Sequence, residues 1–314
     1  MTKVKKLIAV ACVAATILTI SGCDNTKDIS MNVKKGDKYV SSLTENESTS
    51  MSVNGENVNT KQKLDTSYDV KVTDVDKNNN VTMEYKYADI KIEQESNGQT
   101  VSYDTKKLNA SSGGEAQIYK DLIGKSFSVK FTNKGKVLSI KGIGEILDSI
   151  ADKAVTDDSQ KQKVKDILSK NFGDDTIKSS LQQSMGFYPK DKINVGDTWE
   201  NKFKYNIILP VSVSSKYKLS SVQNNQYVID VNSKLATDSG SKDGEIDGIK
   251  AKVKLNGNIN GNININKDDC ILGDGKLTET LKGTIYVPAS DNVPTDLKFP
   301  VTMKININYK TIKK

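Results

Sequence analysis

The side chains of this chain that could do chemistry are lysines, carboxylates, hydroxyls and three cysteines. All 46 cationic residues are lysine, 39 residues are acidic, and histidine is absent. The chain therefore has no imidazole base for a Ser-His-Asp or Cys-His relay, and no guanidinium to clamp a phosphate. Neighbours such as Glu115 and Lys120 could act as a catalytic pair, but no spacing singles out one pair. We expect a protein that is not an enzyme and that carries no cofactor.

Cys23 is the cysteine whose surroundings indicate a modification. Three lysines within the first six residues precede an apolar run, residues 7–20. The run is too short to span a bilayer, since a spanning helix needs about 20 apolar residues. The following Ile20-Ser21-Gly22-Cys23 resembles the lipobox of bacterial lipoproteins. This resemblance implies that residues 1–22 are a signal peptide and that the Cys23 thiol carries a diacylglyceryl group.

Two acyl chains are enough for stable anchoring. We therefore expect a lipid-anchored protein (diacylglyceryl cysteine, palmitate) on the extracytoplasmic side of the cell membrane. An uncleaved anchor and ordinary secretion are the alternatives. Removal of residues 1–22 lowers the formal charge from +7 to +4. Because the remaining lysines alternate with acids, we expect no basic face for nucleic acid.

The other two cysteines leave no internal disulfide. Cys12 lies in the predicted signal peptide, and Cys270 follows the polar turn Lys267-Asp268-Asp269. A free thiol in this position is a bystander unless its surroundings lower its pKa. We interpret Cys270 as half-buried and inert, with a reactive thiol as the alternative.

Alternation of apolar and polar residues dominates the rest of the chain. Residues 23–35 are polar and are predicted to form a lipidated tether. Residues 36–141 form a first β-unit, in which runs such as 68–72 and 81–87 alternate as strands with one buried face do. The last strand is the clearest, with the apolar parity Phe299, Val301, Met303, Ile305, Ile307 and Tyr309.

Residues 74–80 have the acidic start of a calcium loop. Asn79 and Tyr85 stand where that loop requires its glycine and its bidentate glutamate. The segment is therefore predicted to be a hairpin turn rather than a metal site.

The period changes to that of a helix over residues 142–187. Three amphipathic stripes follow each other there. They contain Ile143, Ile146, Leu147, Ile150, Ala151 and Ala154, then Val164, Ile167, Leu168 and Phe172, then Ile177, Leu181 and Met185. We predict a helical insert, followed by a second β-unit over residues 188–314.

Two similar segments begin the two β-units. They are Gly36-Asp37-Lys38-Tyr39 and Gly196-Asp197-Thr198-Trp199, and each precedes a strand pair with an Asn-rich turn. This indicates two diverged copies of one unit, with coincidence as the alternative. Together with the lipobox, the second segment resembles an uncharacterised bacterial lipoprotein family, a domain of unknown function with a Gly-Asp-Ser/Thr-Trp motif. The resemblance implies no activity. Trp199 is predicted to anchor a strand rather than to stack on a ligand.

These observations predict an α+β fold with one or more long curved antiparallel sheets, in which two repeated β-units flank a helical insert. The arrangement is similar to the half-barrel of the outer-membrane lipoprotein carrier, whose helices close an apolar concavity. We expect a non-enzymatic, membrane-anchored lipoprotein that binds an apolar ligand or lipid in such a concavity. The alternative is a structural or interaction lipoprotein, without a pocket, that engages cell-envelope polymer or a partner protein.

Overall fold

The computed structural model describes residues 26–53, 56–96, 98–107, 115–154, 157–206, 210–237, 244–246, 249–290 and 293–314. The predicted signal peptide and Cys23 lie outside this range. Among the described residues, strand residues far outnumber helix residues. The prediction of an α+β fold with a helical insert is therefore wrong, because the protein is mostly β, with one large antiparallel sheet and small helices.

Thirteen strands and four helices are described. The strands are β1 (Lys38–Val53), β2 (Glu56–Val75), β3 (Val81–Ser96), β4 (Gln99–Asp104), β5 (Ser126–Phe131), β6 (Val137–Lys141), β7 (Thr198–Asn206), β8 (Pro210–Gln223), β9 (Gln226–Thr237), β10 (Gly244–Ile246), β11 (Ile249–Asn266), β12 (Leu272–Val287) and β13 (Leu297–Lys313). The helices are α1 (Glu115–Leu122), α2 (Ile143–Ala154), α3 (Asp158–Phe172) and α4 (Asp174–Met185).

One sheet joins both halves of the chain. Eleven strands lie side by side in the order β6-β5-β3-β2-β1-β13-β12-β11-β9-β8-β7, and β4 and β10 pair with β3 and β11. The join is the antiparallel pairing of β1 with β13, which runs from Tyr39 opposite Lys313 to Met51 opposite Val301. This pairing satisfies two long strands that would otherwise be exposed sheet edges. The two halves are therefore continuous rather than separated by the helices.

The sheet has an apolar inner face and a polar outer face. The predicted alternation of β13 is confirmed, since its apolar parity is half-buried or buried while most of the intervening side chains are exposed. The predicted stripe of α2 is confirmed as well, with Ile143, Ile146, Leu147, Ile150 and Ala151 buried. In α3, Leu168 is buried, whereas the side chains of Ile167 and Phe172 lie outside the described residues.

Helix α4 lies between the two edge strands of the sheet, β6 and β7. On one side the Val137 backbone N–H donates to Gln182 Oε1 at 3.2 Å. On the other side Trp199 Nε1 donates to the Phe187 carbonyl at 2.9 Å, and Asn201 Nδ2 donates to the Gly186 carbonyl. We call the C-terminal part of α4 and residues 186–188 the seam. It closes the gap between the sheet edges through side chains rather than through a strand ladder.

Most of the predicted tether is instead part of the folded body. Ile29 is fully buried, and Met31 and Val33 are almost so. Lys27 and Ile193 exchange backbone hydrogen bonds of 2.7 and 3.0 Å, so the chain is fixed from residue 27 onward. A tether was predicted because the segment is mostly polar in composition. The alternation of its three apolar side chains with polar ones is too short to stand out as a strand pattern.

The two Gly-Asp segments form the same turn. Gly36 and Gly196 have φ values of 98° and 99°, in the left-handed region that glycine favours. The Gly36 N–H donates to the Val72 carbonyl at 2.9 Å, and the Gly196 N–H donates to the Leu219 carbonyl at 2.7 Å. In both turns the aspartate side chain accepts from the backbone N–H three residues before it. The pairing of these segments by sequence thus has a structural counterpart.

Candidate functional site

A cavity of about 460 Å³ lies between the inner face of the sheet and the helices α1 and α4. Its size falls in the range of about 300–1,000 Å³ that is typical of small-molecule pockets. The walls come mainly from β1, β2 and β3, with contributions from β5 and β13. The lining residues are Tyr39, Ser41, Ser42, Leu43, Glu45, Gln62, Leu64, Thr66, Tyr68, Val70, Met83, Tyr85, Tyr87, Ile90, Ile92, Tyr119, Leu122, Phe127, Thr176, Ile177, Ser180, Leu181, Ser184, Met185, Ile271, Leu272, Tyr309 and Thr311.

The sequence of α4 explains the space beneath it. Thr176, Ser180 and Ser184 line the cavity and lie four residues apart, so they share one face of the helix. Ile177 and Leu181 lie beside this row and pack against the core. Short side chains on a helix that is held at its edges by the seam leave room between the helix and the sheet.

An aromatic cluster forms part of the cavity wall. The Tyr68 and Tyr87 rings lie 5.0 Å apart between centroids, and Tyr85 stacks on Phe127 at 5.5 Å. Burial raises the pKa of Tyr68 and of Tyr85 well above the ordinary tyrosine value. Their hydroxyls therefore stay neutral and offer polar contacts within an otherwise apolar surface.

Glu45 is the charged residue among the described lining residues. It lies on the inner face of β1, opposite Leu64 of β2 and Ile307 of β13. Burial, with a contribution from the nearby Glu47 carboxylate, raises the pKa of Glu45 above the ordinary glutamate value. The cavity thus combines apolar and aromatic side chains with hydroxyls and one weakly acidic carboxyl group.

A second, smaller cavity of about 160 Å³ lies beside Asp269. The buried Asp269 carboxylate accepts from the Tyr39 hydroxyl at 3.0 Å and from the Ile271 backbone N–H at 3.1 Å, and Lys313 Nζ lies 3.7 Å away. These partners account for its burial in structural terms. The neighbouring Cys270 is buried rather than half-buried, and burial raises the pKa of its thiol, which disfavours the reactive thiolate.

The other residues singled out in the sequence have structural roles. Trp199 stacks on Tyr217 at 5.6 Å and donates a hydrogen bond to the Phe187 carbonyl of the seam, as its predicted anchoring role requires. Residues 76–80 form the predicted hairpin turn, in which Asp76 accepts from the backbone N–H groups of Asn78 and Asn80. The Glu115 side chain lies outside the described residues, and within the described part of the chain no three His, Cys, Asp or Glu side chains meet as a metal site.

Sequence reasoning located the strands of the cavity but missed its residues. The relevant signal was present in β1, where the inner parity Tyr39, Ser41, Leu43 and Glu45 mixes apolar, hydroxyl and acidic side chains. A strand that serves only as core has no need of such a mixture. The α4 row of short side chains is a second signal of the same kind.

In its architecture the protein is a large antiparallel β-sheet with an apolar cavity between the sheet and a few helices. The chain is a member of the Family of unknown function (DUF6263), whose model matches residues 78–272 and so more than half of the chain. The expectation of an uncharacterised family is confirmed. No curated protein matches the chain in sequence. Among the described residues, none of the helices has the length and apolar character to cross a membrane.

Comparison with solved structures gives a similar fold at a TM-score of 0.50. Lipovitellin, in a structure of its lipid–protein interactions, is 10% identical with a TM-score of 0.50, over 90% of this chain and 25% of that chain. This protein therefore spans about a quarter of the chain it resembles. The COG4313 outer membrane channel from Pseudomonas putida F1 is 7% identical over 90% of this chain and 98% of that chain, with a TM-score of 0.20.

Proposed function

We propose that the protein is a non-enzymatic lipoprotein, anchored to the outer side of the cell membrane, that binds an apolar ligand in the cavity under α4. The cavity of about 460 Å³ is the observation that carries this proposal. A filled core would leave no such space, since protein interiors are close-packed. Mostly apolar walls with a few convergent polar groups are typical of ligand pockets.

The likeness to lipovitellin supports the proposal at the level of fold. In that protein, the structure was described for its lipid–protein interactions. A large sheet with a wide apolar inner face suits apolar ligands, because each buried CH₂ group contributes about 0.8 kcal/mol. The same architecture in this chain is the reason to expect a lipid-like ligand rather than a polar one.

The folded body would lie close to the membrane. Only three residues lie between Cys23 and Lys27, a distance of four residue steps, and Lys27 is fixed against Ile193. At about 3.3–3.6 Å per residue, this segment spans at most about 14 Å. The end of the sheet that carries residues 190–197 and the turn at residues 267–270 would therefore face the bilayer.

The anchor is tested by metabolic labelling with a palmitate analogue. We expect label on the wild-type protein and on Cys270→Ala, and none on Cys23→Ala, which should also leave the membrane fraction. Cys270→Ala is the matched control because it removes the other cysteine of the mature chain. Label on Cys23→Ala equal to that on the wild type would contradict lipidation at Cys23.

Ligand binding is tested with N-phenyl-1-naphthylamine, an uncharged apolar dye that fluoresces in apolar pockets. We expect saturable binding to the wild-type protein. Ser41→Phe places a ring in the cavity and should weaken binding at least about tenfold, through loss of the space the dye needs. Ser50→Phe makes the same change on the outer face of the same strand, opposite the exposed Thr302, and should leave binding unchanged.

Circular dichroism establishes that both variants are folded. Absence of saturable binding to the wild type would contradict the proposal. Equal binding by Ser41→Phe and the wild type would place the dye elsewhere on the protein and would remove the cavity from the account.

A further inference from the structure

A row of polar side chains crosses the inner face of the sheet at the end of the cavity that Gln62 lines. Gln94 of β3, Gln62 of β2 and Glu47 of β1 lie directly opposite one another in register. Side chains in such positions are neighbours across strands. Gln62 and Glu45 line the cavity, whereas the aromatic cluster lies at its other end, toward Phe127. The wall therefore changes from apolar to polar along one direction.

Among the described residues, the polar end has two glutamates and no lysine. Glu45 and Glu47 share the inner face of β1, and Thr49 Oγ1 donates to Glu47 at 2.6 Å. The lysines of the neighbouring strands belong to the outer face, where Lys61 pairs with Glu95 at 3.3 Å and Lys91 with Glu93 at 2.7 Å. None of the described lining residues is a lysine. An anionic group placed here would meet carboxylates without a compensating cation.

The hydroxyl groups around Glu45 accept and donate hydrogen bonds but carry no charge. Both Tyr68 and Tyr309 lie near enough to Glu45 for its charge to raise their pKa, in addition to the larger effect of burial. A hydroxyl or an amine on a ligand could donate to the Glu45 carboxylate and to the Gln62 amide oxygen. A ligand carboxylate or phosphate has no proton to donate in the same position.

We propose that the cavity takes a single-chain amphiphile whose chain lies against the aromatic cluster. Its polar end, a hydrogen-bond donor without negative charge, lies against Glu45 and Gln62, with Glu47 opposite Gln62 on the neighbouring strand. This inference rests on the proposed binding function and adds the chemical class of the ligand. It excludes fatty acids and other anionic amphiphiles. Like-charge repulsion in a partly buried site is strong enough to decide between head groups on chains of equal length.

The test displaces N-phenyl-1-naphthylamine with three amphiphiles that share one chain: monoolein, oleylamine and oleate. We expect monoolein and oleylamine to displace the dye at concentrations at least about tenfold lower than oleate. Glu45→Gln combined with Glu47→Gln should narrow this difference to about threefold or less, chiefly by improved oleate binding. Glu93→Gln, on the outer face, should leave the order unchanged.

The three amphiphiles measured on the wild-type protein test the discrimination against anionic head groups even if the double variant does not fold. Displacement by oleate at the same concentration as by monoolein, with dye binding intact, would overturn the inference and leave the binding function standing. A failure of the dye to bind at all would instead remove the proposed function. A discrimination against oleate that persists unchanged in the double variant would equally contradict the role of Glu45 and Glu47.

Discussion

Gly135 tests the seam more sharply than any other single position. It lies in the turn between β5 and β6 with a φ of +76°. A Cβ atom there would lie 2.5 Å from the Met185 carbonyl oxygen and 2.6 Å from Tyr188 Cδ2. Gly135→Ala therefore forces the turn away from the C-terminal end of α4. Gly124 is a matched control, since its φ is +80° and nothing lies within 4 Å of a Cβ added there.

The expected change in the free energy of unfolding follows from what differs between Gly135→Ala and Gly124→Ala. A left-handed conformation costs an alanine roughly 1–2 kcal/mol at either site. The loss of backbone freedom in the unfolded chain is also common to both substitutions. Only Gly135→Ala adds overpacking, which costs about 1–3 kcal/mol. We therefore expect Gly135→Ala to lower the free energy of unfolding by about 1–3 kcal/mol more than Gly124→Ala does.

The assay is urea denaturation followed by circular dichroism, with the free energy of unfolding obtained by linear extrapolation. Equal destabilisation by the two variants, within about 0.5 kcal/mol, would refute the close contact between the turn and the seam. It would also remove the reason for holding α4 at a fixed distance from the sheet, on which the cavity depends.

Three further predictions concern the core and two carboxylates, each measured by urea denaturation. Ile29→Ala should lower the free energy of unfolding by about 2–5 kcal/mol because Ile29 is fully buried. Ile312→Ala, at a site 53% exposed, should change it by no more than about 0.5 kcal/mol. Equal effects of the two substitutions would show that residues 26–33 do not belong to the folded core. Glu45→Gln should stabilise the protein at pH 7, because a carboxyl group with a raised pKa favours the folded state at low pH and loses that contribution as the pH rises. The gain in the free energy of unfolding should vanish below the ordinary glutamate pKa of 4.5. A gain that persists at that pH would contradict the argument. Asp76→Ala should destabilise the β2–β3 turn at pH 7, because hydrogen bonds from Lys130 and Asn80 hold the pKa of Asp76 below its ordinary value. The loss in the free energy of unfolding should shrink as the pH falls below 3.8. A loss that does not depend on pH would argue against a role for the Asp76 charge.

Local features of the fold could be predicted from the sequence. The alternation in β13, the apolar face of α2 and the turn at residues 76–80 each depend on residues that are neighbours in the chain. Their periods of 2 and about 3.6 residues reflect the local backbone geometry. The Gly-Asp turns were recognised for the same reason.

Long-range pairing could not be predicted in this way. Tyr39 lies opposite Lys313 at the join of the two halves, and no local period indicates that partnership. The sequence analysis therefore described two β-units around a helical insert and left open whether they form the one sheet that the structure has. The cavity could not be predicted from the sequence either, because it depends on the distance between α4 and the sheet. That distance is set by contacts of Gln182, Trp199 and Asn201 with segments remote in sequence.

The central claim is that the space under α4 holds a lipid-like molecule in the native protein. Native mass spectrometry of the full-length protein, extracted from its own membrane in mild detergent, tests it most directly. We predict one additional uncharged or cationic amphiphile per chain on the wild type and on Ser50→Phe, and its absence from Ser41→Phe. A wild-type protein that carries no such molecule beyond the acyl groups proposed for Cys23 would contradict the account, as would a bound molecule that Ser41→Phe retains.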